Sequence, residues 1–228
     1  MKRCALLAIV LVWNTTLGTA FARQPATAAI CDTSADFFLG IEDYPKAIRL
    51  HLQVLRRNPN SALAHYHLGF AQGMMGNRAE EIREYQRAEA LGLKNWDLSL
   101  NLGLAQLENG NLDAATESLR RAVLLGENHS ESHFNLALVY ERRGILKEAE
   151  HETLASLRLT PWQPDTRNLL GVIYAREGKI VRALLVWHDL VREAPDYEPA
   201  RKNLAILSNI GSLGERAVVV PPQRPPPK

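Results

Sequence analysis

A pair made of leucine and a small residue recurs along the chain at a constant spacing of 34 residues. The five pairs are Leu68-Gly69, Leu102-Gly103, Leu136-Ala137, Leu170-Gly171 and Leu204-Ala205. A second glycine follows seven residues after four of these small positions, at Gly76, Gly110, Gly144 and Gly178. Self-similarity at one fixed period indicates a repeat architecture, in which each unit packs mainly against its neighbours.

Two further sets of positions that recur at this period, here called columns, identify the repeating unit as a pair of helices. Alanine stands five residues after three of the second glycines, and proline closes three of the periods, at Pro59, Pro161 and Pro195. Antiparallel helices joined by a tight turn approach closely only where small residues cross, and glycine favours the turn itself. Proline ends the second helix before the next pair begins. The pattern predicts an all-α solenoid of stacked antiparallel helix pairs.

These columns resemble the tetratricopeptide repeat family, which has the same 34-residue period and also places a tyrosine-like residue at Tyr140 and Tyr174. The resemblance implies a right-handed superhelical solenoid. Its register predicts four repeats over residues 62–197, at 62–95, 96–129, 130–163 and 164–197. A degenerate first repeat covers residues 28–61, where Glu42 replaces the turn glycine. A capping helix follows at 198–211, and a proline-rich disordered tail at 212–228.

The first 22 residues have the order of a secretory signal peptide. Lys2 and Arg3 precede an apolar run, and Ala20-Phe21-Ala22 offers a cleavage site, with residues 23–27 as a spacer. The run is short for a membrane span, but an uncleaved anchor is the open alternative. We therefore expect an exported protein, periplasmic or secreted. Cleavage leaves equal numbers of basic and acidic residues, so nothing in the charge favours nucleic acid as a partner.

The resemblance also implies which residues face a concave groove. The residue two before each small position is asparagine in three of five repeats, similar to the asparagine ladder of O-linked N-acetylglucosamine transferases, and the neighbouring columns are mostly apolar. Such a face suits an extended or amphipathic peptide. The alternative is that these side chains are core. The predicted peptide-binding residues are Tyr66, His67, Phe70, Leu100, Asn101, Leu104, Phe134, Asn135, Leu138, Asn168, Val172, Asn203 and Ile206.

Two departures from the pattern carry their own expectations. Glu81 stands in the close-packed alanine column, and we expect its side chain to extend to solvent, with a charge aimed at a partner as the alternative. The second and third repeats end at Gly92 and Gly126 instead of proline. Both glycines are expected to end a helix in the left-handed conformation.

No catalytic motif is present, so we predict no enzymatic activity, no cofactor, no metal site and no small-molecule substrate. His129 and His133 have no third ligand at metal spacing, and His65 and His67 should point in different directions.

Three functions remain open. The first is a scaffold that binds a protein or peptide partner in the cell envelope, in assembly or secretion. The second is a structural subunit whose groove is covered by self-association, as in a homo-oligomer, or by its own tail. The third is an accessory repeat arm of a glycosyltransferase partner.

Overall fold

A computed structural model of the chain describes residues 31–216, with side chains through Leu207. Over these residues it contains eleven helices and no strand, which confirms the all-α fold class. The predicted signal peptide, the spacer and residues 217–228 lie outside the described residues. The helices are α1 (Thr33–Gly40), α2 (Tyr44–Arg57), α3 (Ala62–Met74), α4 (Arg78–Ala90), α5 (Trp96–Glu108), α6 (Leu112–Leu125), α7 (Ser130–Arg142), α8 (Leu146–Leu159), α9 (Pro164–Arg176), α10 (Ile180–Glu193) and α11 (Glu198–Arg216).

Consecutive helices pack as pairs, and each of the four 34-residue segments contains one pair. The helix after the last pair, α11, continues to Arg216, beyond the boundary at 211 set from the sequence. The described chain forms two compact units, residues 31–162 with α1–α8 and residues 163–216 with α9–α11, and each is treated by itself. Among the described residues, no helix combines the length and apolar character that a membrane crossing requires.

Polar residues and glycines set the ends of the helices. The side chains of Asp43, Ser61, Asn95 and Asn111 accept hydrogen bonds from backbone N–H groups in the first turns of α2, α3, α5 and α6. These bonds satisfy donors that have no partner within the helix. At the turns inside the pairs, the four recurring glycines have positive φ angles between 75° and 80°. This left-handed conformation is unfavourable for residues that carry a Cβ atom.

The first pair makes the same turn without glycine. Glu42 stands at the turn between α1 and α2 and has a φ of 63°, the only positive φ of a non-glycine residue in the described chain. Its N–H donates to Leu39 O, as the N–H groups of the turn glycines donate to carbonyls at the ends of their first helices. The turn geometry is therefore retained, at a backbone conformation that disfavours glutamate.

Within the pairs, the small residue of each first helix faces a residue of the second helix sixteen positions later. A Cβ atom added to Gly69 would lie 2.7 Å from the Tyr85 ring, and one added to Gly103 would lie 2.6 Å from Leu119. In the pair α7–α8 Ala137 replaces glycine, and the smaller Thr153 stands at the corresponding position. The size of each small residue thus matches its partner, as close packing requires.

Gly92 and Gly126 end their repeats in different ways. Gly92 has a φ of 95° after α4, as expected for a left-handed cap. For Gly126 the expectation is wrong, because its φ is −147°. Glycine instead allows the backbone to pack closely against two side chains, because a Cβ atom added to Gly126 would lie 2.6 Å from the His129 ring and 2.9 Å from Trp96 Cβ.

Candidate functional site

Predicted groove residues of α3 and α5 form a hydrogen-bonded row. The Asn101 amide donates to the Tyr66 hydroxyl at 2.8 Å, and this hydroxyl donates to Asp97 Oδ2 at 3.3 Å. Burial raises the pKa of the Tyr66 hydroxyl and also that of the Asp97 carboxyl, because both charged forms lose hydration. The two first helices therefore lie side by side, joined through a tyrosine and an asparagine 35 residues apart.

In the unit of residues 163–216, an asparagine contact again joins two residues that are 35 positions apart. The Asn203 amide donates to Asn168 Oδ1 at 3.1 Å, and the indole N–H of Trp187 donates to the same oxygen at 2.9 Å. Asn135, in the other unit, donates to the backbone oxygen of Glu131 at 2.9 Å. These amides therefore join neighbouring first helices or bond to the backbone of their own helix. The spacing of the asparagines along the chain does not reveal these partners.

The predicted peptide-binding residues are almost all buried. Of the thirteen, twelve are buried and Ile206 is half-buried. Leu104 keeps the largest exposed fraction of the buried twelve, 8%, and Phe70 and Phe134 keep 5% each. Burial is compatible with both interpretations left open by the sequence, core positions and the floor of a groove. The peptide-binding role of these residues stays a prediction.

Glu81 does not extend to solvent, so that expectation is wrong. Its side chain is fully buried in the pair α3–α4 and forms an ion pair with Arg78, which also pairs with Glu108. Space for the carboxylate comes from Gly73, because a Cβ atom there would collide with it. A buried carboxylate requires such a partner, since an isolated buried charge is strongly unfavourable. The sequence signal was the pairing of Glu81 with a glycine on the facing helix.

A second polar cluster joins α1, α2 and α3. Nδ1 of His67 donates to Asp36 Oδ1 at 2.7 Å, and Nε2 of His51 lies 3.7 Å from the same oxygen. The other carboxylate oxygen of Asp36 accepts from the backbone N–H groups of Cys31 at 2.7 Å and Asp32 at 3.1 Å. One donor atom each from Cys31, Asp36, His51 and His67 lies within 4.8 Å of all the others.

Burial disfavours the charged form of both histidines of this cluster. Burial, together with the neighbouring His67, lowers the pKa of His51 to about 4, and burial lowers the pKa of His67. Neither ring nitrogen of the fully buried His51 has a hydrogen-bond partner. Leaving such a group unsatisfied costs about 1–3 kcal/mol, so its position calls for a physical reason. Burial and the Asp36 carboxylate raise the pKa of the Cys31 thiol.

The other histidine pairs make no joint site. His129 precedes α7 and stacks on Trp96 with 3.6 Å between ring centroids, whereas His133 binds Glu152. His65 contacts Glu84, away from His67, as the spacing predicted.

A pocket of about 590 Å³ lies between the second helices α6 and α8 and contains none of the predicted groove residues. It is lined by Arg120, Val123, Leu124, Glu127, Leu136, Tyr140, Lys147, Glu148, His151 and Glu152. Leu124 is 74% exposed at this pocket. The pocket is therefore a surface separate from the predicted row.

The sequence of the central helix pairs matches a family model. Residues 75–128 and residues 100–164 both match a model described as a tetratricopeptide repeat. The chain carries tetratricopeptide repeats. The helix pairs on either side of the matched residues have the same paired architecture and the same spacing. No functionally curated protein matches the sequence.

Solved structures of tetratricopeptide-repeat proteins are similar over most of the chain. YrrB, described as a TPR protein with an unusual peptide-binding site, has 25% identity and a TM-score of 0.70, covering 73% of this chain and 86% of its own. MamA has 22% identity and a TM-score of 0.66, covering 69% and 86%. A repeat protein from Parabacteroides merdae has 18% identity and a TM-score of 0.71, covering 81% and 73%. The last two likenesses show the fold alone.

The repeat pattern does not predict that Cys31, Asp36, His51 and His67 form a cluster. Three of its members come from three different helices and Cys31 lies two residues before the first helix, so no short spacing connects them. The sequence contains one usable signal, which is that His51 stands at a buried position of α2 among aliphatic and basic residues. Proteins with these repeats typically bind other proteins or peptides, so the cluster also lies outside what the family leads one to expect.

Proposed function

We propose that the protein is a non-enzymatic scaffold that binds a segment of a partner protein along the first helices α3, α5 and α7. The observation that carries this proposal is the bond from Asn101 to Tyr66. It joins neighbouring columns of two successive first helices, so that their amides, aromatic rings and apolar side chains lie side by side. A row of this composition can contact an extended or amphipathic segment through backbone hydrogen bonds and apolar side chains.

The likeness to YrrB supports the same proposal, because that protein is described as having a peptide-binding site and shares the helix-pair architecture over most of both chains. Contacts would be concentrated at Phe70, Leu104 and Phe134, which keep the largest exposure in this part of the row.

We also infer that the scaffold is exported, from the signal-peptide order of residues 1–22. The partner is then a protein of the cell envelope, and the process is envelope assembly or secretion. A growing culture fractionated into cytoplasm, periplasm and medium tests this part alone. Protein confined to the cytoplasm would contradict export and leave the binding proposal intact.

The binding proposal is tested by in-cell photo-crosslinking from Leu104 in the native host. We expect a discrete crosslinked partner that mass spectrometry identifies. Arg83, on the second helix α4 with a 65% exposed side chain, is the matched control position and should give no such product. Crosslinks from Leu104 only to further copies of the same chain would overturn the proposal in favour of self-association.

The stabilities of two leucine variants in α5 distinguish a groove residue from a core residue. Leu102 and Leu104 are two residues apart, and Leu102 is fully buried. We expect Leu102→Ala to lower the melting temperature strongly, and Leu104→Ala to lower it less while weakening a crosslink made from Phe70. Equal losses of melting temperature, with the crosslink retained, would show that Leu104 is core. A partner found only from Leu124 would place binding at the pocket between α6 and α8.

A further inference from the structure

We propose that Cys31, Asp36, His51 and His67 form a binding site for a divalent transition-metal ion, and that Zn²⁺ fits the four donors best. One sulfur, two imidazole nitrogens and one carboxylate oxygen are the ligand types that zinc prefers, and four is its usual number. The inference is independent of the scaffold function, since none of its steps requires a bound peptide.

The spacing of the donors is close to that of a metal site. Their atoms lie within 4.8 Å of one another. In a tetrahedral zinc site with bonds of about 2.0–2.3 Å, donor atoms are roughly 3.3–3.8 Å apart. The difference is small enough for side-chain rotation to close it, because Cys31 and Asp36 are only half-buried. The histidines on α2 and α3 are already fixed by burial.

His51 provides the second, independent indication of a ligand. It is fully buried, its Nε2 faces Asp36, and neither of its nitrogens has a hydrogen-bond partner. A buried polar group without a partner is rare, and an ion that binds it is one of the few explanations. The ring centroids of His51 and His67 are 5.4 Å apart, and both imidazoles lie beside the same Asp36 oxygen.

Asp36 is oriented as a ligand in the manner of known metal sites. Two backbone N–H groups hold its Oδ2, which leaves Oδ1 directed at both histidines. Hydrogen bonds of this kind, made by the oxygen that does not bind, fix the orientation of carboxylate ligands. The backbone N–H of Cys31 is one of these two donors, so the same contact keeps the cysteine beside the site.

The charges of the set balance a divalent ion. Binding would release the thiol proton of Cys31 to solvent and move the His67 proton from Nδ1 to Nε2. One thiolate, one carboxylate and two neutral imidazoles then carry two negative charges against the two positive charges of the ion. The ion would join α1, α2 and α3, and so fasten the short first helix to the repeats that follow.

The test uses the untagged full chain, reduced and free of metal, titrated with Co²⁺. We expect one equivalent to produce a thiolate-to-cobalt charge-transfer band that Zn²⁺ then abolishes. Cys31→Ser should remove this band and weaken binding by at least the roughly 10- to 100-fold that loss of an outer-shell partner costs. Cys4→Ser is the matched control, since it removes the other cysteine and should leave the band unchanged.

The histidines are tested in the same titration. His51→Gln should weaken binding at least as much, whereas His188→Gln, at an exposed position of α10, should not. Circular dichroism of each metal-free variant shows that it is folded, and Zn²⁺ should raise the melting temperature of the unsubstituted chain more than that of Cys31→Ser. Failure to saturate at one equivalent would overturn the proposal. So would an unchanged band in Cys31→Ser.

Discussion

His133 lies two full repeats after His65 and makes the same pair of contacts. Nδ1 of each ring lies 2.6 Å from a glutamate of the second helix of its own pair, Glu84 for His65 and Glu152 for His133. Nε2 of each ring lies 3.0 or 3.2 Å from a backbone oxygen six residues earlier. Each histidine thus joins the loop before the repeat to both of its helices. Both ring nitrogens of each histidine therefore face oxygen atoms of the protein.

The hydrogen bond to Glu152 raises the pKa of His133 above its ordinary value of 6.5, and so predicts a pH-dependent stability. A raised pKa in the folded state means that the contribution is fully present below pH 6.5 and is lost as the pH rises through the folded pKa. We expect His133→Gln to cost about 1 kcal/mol more at pH 6 than at pH 9 in urea denaturation. His151→Gln, at an exposed position of α8, should show no such difference. A cost for His133→Gln that is equal at both pH values would contradict this account.

The sequence predicted the helix pairs because their determinants are local and recur. A glycine at each turn and a small residue at each crossing are required by backbone geometry, whatever the neighbours are. Gly126 shows where this logic ends. Its φ is −147° and its backbone lies against Trp96 and His129, whose rings stack, and no local pattern indicates that stack.

The candidate sites were predicted less well than the fold. The resemblance placed Asn101 and Asn203 in one column, but their partners lie 35 residues earlier and depend on how neighbouring first helices pack. The site at Cys31 and His51 depends on three helices meeting at one point. Contacts of this kind are set by tertiary structure, so a repeat register read along the chain does not contain them.

The matched sizes of facing residues predict energetic coupling within a pair. Gly103 faces Leu119, whereas the next pair has Ala137 and Thr153 at these positions. We expect Gly103→Ala to cost about 1–3 kcal/mol through overpacking against Leu119. The double variant Gly103→Ala with Leu119→Thr reproduces the pair found in the next repeat. It should lose less stability than the sum of the single variants in a double-mutant cycle. Strict additivity would show that the two positions do not interact.

The turn at Glu42 predicts a stabilising substitution. Its φ of 63° is unfavourable for any residue with a Cβ atom, and the corresponding turns all contain glycine. Glu42→Gly should therefore raise the free energy of unfolding by about 0.5–1 kcal/mol, the relief of backbone strain exceeding the greater freedom of glycine in the unfolded chain. The converse change, Gly110→Ala, has open space around the added Cβ but a φ of 80°, and it should lower stability by a similar amount. Thermal denaturation of both variants measures the two effects. A loss of stability in Glu42→Gly would mean that the side chain makes a contact worth more than the strain.

The buried ion pair of Arg78 and Glu81 predicts a dependence on the facing glycine. Glu81→Ala removes the carboxylate, leaves a cavity beside Gly73 and leaves Arg78 with Glu108 alone. We expect a cost of about 1–3 kcal/mol, below that of a fully buried pair because the Arg78 side chain is 25% exposed.

The next repeat indicates how this loss can be reversed. There the corresponding positions are Leu107 and Ala115, an apolar pair without a charge. Combining Glu81→Ala with Gly73→Leu fills the cavity in the same way, and the double variant should be more stable than Glu81→Ala in urea denaturation. Arg83→Ala, which breaks an exposed pair with Glu80, is the control and should change stability by less than about 1 kcal/mol. If Glu81→Ala were as stable as the unsubstituted chain, the glutamate would add nothing to the helix pair, and its burial against Gly73 would have to serve something other than stability.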